Sequence, residues 1–181
     1  ACAYPFLSDA PKRWLKQRWS RQLLEILGVR FQANFQGLWR GGLFVANHIS
    51  WLDIFVLNAA RPMAFVAKSE VRGWPLFGWL AAHTETIFLQ RERRGHARIV
   101  NEQIAGLLAS GQDIAIFPEG TTTDGTCLLP FHGALLQPAI DSACPIQPAS
   151  LAYFDEHGRR CPAPAYAGQT TLAESVSAII A

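Results

Sequence analysis

The stretch Leu43-Phe44-Val45-Ala46-Asn47-His48-Ile49-Ser50-Trp51-Leu52-Asp53-Ile54-Phe55-Val56-Leu57-Asn58-Ala59-Ala60 changes character twice. Its first four residues are an apolar run set between Gly41-Gly42 and Asn47-His48, the length and setting of a buried strand. Residues 51–60 stay apolar for long enough to make a helix. A short strand that passes through a polar turn into an apolar helix opens a βαβ unit. The apolar run at residues 63–67 supplies the next strand.

The alternation continues downstream. Residues 86–89 read as a strand, 95–109 as a helix closed by Ser110-Gly111, and 113–117 as a strand. Residues 134–142 read as a helix despite Pro138, 146–153 as an extended segment interrupted by Pro148, and 171 onward as a last helix. Residues 74–82 read as helix or loop, because Pro75 and Gly78 break the pattern. Strands separated by helical stretches predict an α/β fold with a mostly parallel central sheet flanked by helices on both faces. No repeat, low-complexity tract or linker divides the chain; Pro162 and Pro164 mark a loop.

Upstream, Leu15, Trp19, Leu23, Ile26 and Leu27 form one apolar stripe at helical spacing. Pro11 suits the first turn of that helix, Asp9 its cap and Gly28 its stop. Lys12, Arg13, Lys16 and Arg21 are expected off the stripe. Residues 1–40 carry seven basic side chains against Asp9 and Glu25, within a chain of net charge +2. A basic amphipathic helix bearing Trp is suited to an anionic membrane surface. The basic segment is short and its aromatics lie on the apolar stripe rather than between the charges, which argues against nucleic acid as a partner.

The bulk properties fit one packed domain. A length of 181 residues allows one sizeable core, and a chain that is 50% hydrophobic and 17% charged is not disordered. Cys2, Cys127, Cys144 and Cys161 have neither C-x-x-C spacing nor a histidine at ligand spacing, so we expect reduced thiols in a cytoplasmic protein and no metal. No apolar run reaches the roughly 18 residues that span a bilayer, and no signal-peptide pattern is present. The start at Ala1 and the end within a helical pattern lead us to expect a chain cut at both ends. A membrane anchor would then lie outside it.

In open α/β sheets ligand groups collect past the carboxyl ends of the strands. Here those positions hold Asn47, His48 and Asp53; Gln90, Arg91, Arg93 and Arg94; Pro118, Glu119, Gly120, Thr121, Thr122 and Thr123; and Gln147 with Pro148. If the strands are neighbours, an imidazole, a carboxylate, guanidinium groups and hydroxyls meet at one edge. A neutral His takes a proton from a hydroxyl at physiological pH. A carboxylate on its other ring nitrogen fixes the tautomer and stabilises the imidazolium. Asp53, five residues after His48, can turn back to the ring if a helix begins between them. Burying both among Ile49, Trp51 and Leu52 costs free energy unless they pair. Arginines nearby would grip a phosphate. The set suits transfer to the hydroxyl of a phosphorylated alcohol.

These residues also carry a family resemblance. Asn47-His48-Ile49-Ser50-Trp51-Leu52-Asp53 resembles the N-H-x-S-x-x-D block of the glycerolipid acyltransferases. Ile87-Phe88-Leu89-Gln90-Arg91 resembles the second block, Phe117-Pro118-Glu119-Gly120-Thr121 the F-P-E-G-T block, and Cys144-Pro145-Ile146-Gln147-Pro148 a V-P-I-x-P segment. Lys68-Ser69-Glu70 and Trp74-Pro75-Leu76-Phe77-Gly78 resemble the stretch between the first two. The match covers residues 43–150, with a weaker one at Ala165-Tyr166-Ala167-Gly168. Three positions depart from the pattern: Glu85 where Gly is usual, Thr122 where Arg is common, and His132 where Lys is frequent. They bear on the identity of the acceptor.

The helical stripe and its basic residues mark residues 1–30 as an N-terminal amphipathic segment, and the resemblance implies an acyltransferase domain over 31–181. It implies that His48, held by Asp53, deprotonates the acceptor hydroxyl for direct attack on acyl-CoA or acyl carrier protein, with no cofactor and no covalent enzyme intermediate. Arg91 would hold the acceptor phosphate, Glu119 a glycerol hydroxyl or Arg91 itself, and Gly120 and Thr121 would admit and bond the phosphate. Ser50 and Cys144 are the alternatives for a nucleophile, but no G-x-S-x-G elbow is present, and we expect loop and packing roles for them. The acceptor implied is 1-acyl-sn-glycerol-3-phosphate, giving phosphatidic acid at the cytoplasmic face of the inner membrane. Lyso-ornithine lipid and glycerol-3-phosphate stay open as acceptors. So do thioester hydrolysis and a noncatalytic membrane-binding role.

Overall fold

β4 (Ile114–Ile116) has three residues, each fully buried, and forms the centre of the sheet. The computed structural model describes residues 4, 7–34, 41–73, 78, 84–90 and 95–181. β1 (Leu43–Ala46) lies beside β4, with β5 (Ile146–Ala149) outside it. β2 (Ala64–Lys68) lies on the other side of β4, with β3 (Ile87–Leu89) outside that. The order is therefore β3-β2-β4-β1-β5, and every pairing is parallel.

A parallel sheet needs cover on both faces, and strand alternation provides it. Leu43, Ala64, Ile114 and Ile116 point to one face, where they meet Val100, Ile104 and Leu108 of a helix spanning His96–Ala109. Phe44, Ala46, Phe65 and Ala115 point to the other, with Leu57 of the helix Leu52–Ala60. In chain order the helices are α1 (Asp9–Ile26), α2 (Leu52–Ala60), α3 (His96–Ala109), α4 (Gln137–Asp141) and α5 (Leu172–Ile180). A third apolar cluster joins Leu24 and Leu27, at the end of α1, to Trp51, Leu52, Phe55 and Ala59, with Leu172, Val176 and Ile179 of α5 against it. Each large side chain buried there contributes roughly 1.5–3 kcal/mol.

The α/β class and the parallel sheet agree with the sequence reading; three local expectations do not. The segment at residues 134–142 is not one helix. A 3₁₀ turn at Gly133–Leu135 gives way to the short α4, which restarts with Pro138 in its first turn, where the missing N–H costs nothing. The extended segment stops at Ala149; Pro148 is tolerated because β5 is an edge strand. Asp9 is the first residue of α1 rather than its cap; Ser8 holds that position without a side-chain bond. Residues 74–77 and 79–82 lie outside the described residues.

α1 is also rotated from the expected register. Its buried line runs through Lys16, Ser20, Leu24 and Leu27. Lys16, expected on the solvated face, is 5% exposed. Its Nζ donates to Met63 O and Thr84 O at 3.2 Å each and meets Glu85 Oε2 at 2.8 Å. Burial lowers the Lys16 pKa, and Glu85 opposes that shift. Glu85 stands at φ 61, in the left-handed region where Gly is the easy residue. Its side chain instead meets the helix. Ile26 (79% exposed), Trp14 (56%) and Trp19 (38%) are left on the outer surface of α1. Among the described residues no helix is long and apolar enough to cross a membrane.

Candidate active site

Because β1 and β4 are neighbours, the two segments that leave their carboxyl ends run side by side. Asn47 fixes the first of them. Its Nδ2 donates to Leu151 O at 3.0 Å and its Oδ1 accepts Leu151 N–H at 2.7 Å, so the side chain continues the β1–β5 ladder past its last backbone pair. The chain then turns through His48, Ile49 and Ser50 into α2. Ser50 Oγ, fully buried, accepts Leu52 N–H at 3.2 Å at the start of that helix.

Asp53 closes the turn. Its Oδ2 accepts Ile49 N–H at 2.7 Å and Ser50 N–H at 2.9 Å, and stands 2.8 Å from His48 Nδ1. An oxygen that accepts two backbone N–H groups is a carboxylate acceptor, so Nδ1 carries the ring proton toward it. Asp53 has no exposed surface and lies in the first turn of α2, where the helix dipole favours negative charge. Its Oδ1 accepts the hydroxyl of Tyr153 at 2.6 Å. The imidazole stacks on Phe117, with ring centroids 3.9 Å apart and planes 12° apart. Phe117 stacks in turn on Phe65 of β2. With Nδ1 facing Asp53, Nε2 is the ring nitrogen chemically able to exchange a proton with another group.

The second segment braces the first. Glu119 is 4% exposed, and both its oxygens accept backbone N–H groups: Oε1 from His48 at 2.8 Å and Oε2 from Leu129 at 2.9 Å. Thr123 N–H donates to His48 O at 2.9 Å. Gly120 turns the chain at φ 70. The three threonines then separate: Thr121 is exposed, Thr122 Oγ1 donates to Tyr166 O, and Thr123 is buried. Thr122, where Arg is common in the resembling family, is thus tied to the main chain. His132 is exposed.

The structure brings His48, Asp53 and Glu119 together, with Gly120 and the exposed Thr121 next to Glu119 in the chain. β3 ends elsewhere, three inter-strand spacings or roughly 14 Å from β1. Arg91, the expected phosphate clamp, and Arg93 and Arg94 lie outside the described residues. Among the described residues no group of three His, Cys, Asp or Glu side chains is placed to hold a metal. Cys144 packs against the first core cluster. Sequence reasoning missed the residues beyond 152. Besides Tyr153, Tyr166 N–H donates to Ile49 O at 2.9 Å, and Ser175 Oγ accepts Trp51 Nε1–H at 3.0 Å. The neighbourhood of Tyr153 carries no periodic signal; only the weak resemblance at residues 165–168 hinted that this region returns to the site.

A buried carboxylate, an oriented imidazole and the F-P-E-G-T turn thus meet at one edge of a parallel sheet. The chain belongs to the acyltransferase family, whose model matches residues 29–152. It is 41% identical over 127 residues to a 1-acyl-sn-glycerol-3-phosphate acyltransferase of Neisseria gonorrhoeae, covering 70% of this chain and 50% of that protein. It is 40% identical over 141 residues to a lyso-ornithine lipid O-acyltransferase of Pseudomonas aeruginosa, covering 78% and 53%. The chain therefore spans about half the length of these curated relatives. The fold matches the crystal structure of the 1-acyl-sn-glycerophosphate acyltransferase PlsC from Thermotoga maritima, with a TM-score of 0.61 at 24% identity, over 78% of this chain and 61% of that one.

Proposed function

We propose that this chain transfers a fatty acyl group from the thioester of acyl-CoA or acyl carrier protein to the free hydroxyl of 1-acyl-sn-glycerol-3-phosphate, giving phosphatidic acid. The observation that carries this reading is the 2.8 Å contact of His48 Nδ1 with the fully buried Asp53. His48 Nε2 takes the hydroxyl proton as the oxygen attacks the thioester carbonyl. Asp53 stabilises the imidazolium. The C–S bond breaks and the leaving sulfur takes the proton back, so no enzyme acyl ester and no cofactor are needed. Ser50, whose hydroxyl is used to start α2, fits that scheme.

The outer surface of α1 supports a membrane-associated enzyme. Trp14, Trp19 and Ile26 stand exposed among Arg13, Arg18 and Arg21, a surface suited to anionic lipid. We place the reaction at the cytoplasmic face of the inner membrane, where a water-soluble thioester meets a lipid acceptor. In the same scheme Arg91 binds the acceptor phosphate and Thr121 bonds it.

Lyso-ornithine lipid is the second acceptor, favoured by the Pseudomonas relative and by Thr122 in place of a cation. The test is thiol release from acyl-CoA with 1-acyl-sn-glycerol-3-phosphate, lyso-ornithine lipid, glycerol-3-phosphate or no acceptor. Fastest turnover with the first supports the proposal. Preference for lyso-ornithine lipid reassigns the acceptor. Equal release without acceptor makes the protein a hydrolase.

A further inference from the structure

Asp53 has no exposed surface, and its two oxygens are held differently. Oδ2 takes His48 Nδ1–H and the N–H groups of Ile49 and Ser50. Oδ1 takes the hydroxyl of Tyr153 at 2.6 Å. The Tyr153 ring is packed against the cluster of Trp51, Leu52 and Phe55. Its carbonyl accepts Cys161 N–H at 3.0 Å, which ties it to the following turn. The hydroxyl has little freedom to leave the carboxylate. Tyr153 is also the first residue past the region that matches the family model, so this contact is supplied from outside that region.

We infer that Tyr153 is a positioning residue for the acyl transfer, acting through Asp53 to orient His48 and to set how readily the pair takes up a proton. The inference rests on reading His48 and Asp53 as the catalytic pair. A carboxylate with one oxygen unpartnered in an apolar site is destabilised as an anion. The Tyr153 hydrogen bond removes that penalty while the imidazole is neutral, and it fixes the carboxylate plane against the ring. When the imidazole becomes charged, the carboxylate shares its charge with Nδ1–H and relies on Tyr153 less. The hydroxyl therefore favours the unprotonated, working form of the pair. Burial and the Asp53 charge raise the Tyr153 pKa, which keeps it a donor throughout.

The test is Tyr153→Phe, which keeps the ring and removes the donor. It should lower kcat by about tenfold, the scale of one charge-assisted hydrogen bond, with KM for the acceptor held. The acid limb of kcat should move to higher pH, because the pair, titrating as a unit, binds its proton more readily. 3-Fluorotyrosine at position 153, a stronger donor of nearly the same size, should move that limb to lower pH and keeps the test open if Tyr153→Phe fails to fold. An unmoved limb in the folded variants overturns the inference, even if the melting temperature falls, because then Tyr153 only braces the chain. Asp53→Asn, measured alongside, separates the two readings. If it abolishes turnover while the Tyr153 variants are silent, only the positioning role fails. If it is silent too, the catalytic pair itself is wrong.

Discussion

The carboxylate of Glu119 holds the main chain of His48: Oε1 accepts His48 N–H at 2.8 Å from across the β1–β4 edge. The other oxygen holds Leu129 N–H, so the side chain clamps two loops and is 4% exposed. Glu119 was expected to bond a glycerol hydroxyl or Arg91. Its geometry favours a brace.

That difference has a kinetic signature. Glu119→Gln turns an acceptor into an NH₂ group facing a buried N–H. It should cost about 1–3 kcal/mol of stability, read as a lower denaturant midpoint with an unchanged slope. As a brace it should lower kcat while KM for the acceptor holds. A rise in KM with kcat retained would instead place Glu119 on the substrate.

The buried Lys16 is paired with the half-buried Glu85. Deleting one partner of such a pair strands the other; Glu85 keeps some contact with water, so Lys16→Met should destabilise the protein by about 2 kcal/mol. The pH dependence has a fixed sign. The folded-state pKa of Lys16 lies below the ordinary 10.5, so between those values the unfolded chain binds more protons. Stability of the native protein relative to Lys16→Met should therefore rise with pH across that window. Urea melts at several alkaline pH values check this.

The outer surface of α1 can be tested apart from the chemistry. Replacing Lys12, Arg13 and Arg18 by Gln should weaken sedimentation with anionic vesicles by about 1 kcal/mol per residue at low salt. Turnover on a detergent-solubilised acceptor should hold. Equal vesicle binding by the variant would remove the membrane assignment for this helix.

The strands were legible because short apolar runs sat between polar turns, and the sheet followed from their alternation with helices. His48 and Asp53 were legible because five residues spanning a strand end and a helix start can bring a carboxylate back to a ring. The face of α1 was not. Leu15, Trp19 and Ile26 are as periodic as Lys16, Ser20 and Leu24, and only the acceptors at Met63, Thr84 and Glu85 decide that a lysine goes inward. Pro138 was visible as a flaw in a helix, yet where the helix would restart depended on the 3₁₀ turn before it. Tyr153 lay a hundred residues from Asp53, where no local pattern could announce the bond.

The central claim is that His48, oriented by Asp53, accepts the proton of a lipid hydroxyl. Its most direct measurement is single-turnover thiol release from acyl-CoA with saturating 1-acyl-sn-glycerol-3-phosphate, comparing native protein with folded His48→Ala. The account predicts that the variant still binds both substrates and that acceptor-dependent release falls by roughly 10²–10⁴-fold, the contribution of one positioned general base. Release by His48→Ala at the native rate would contradict it.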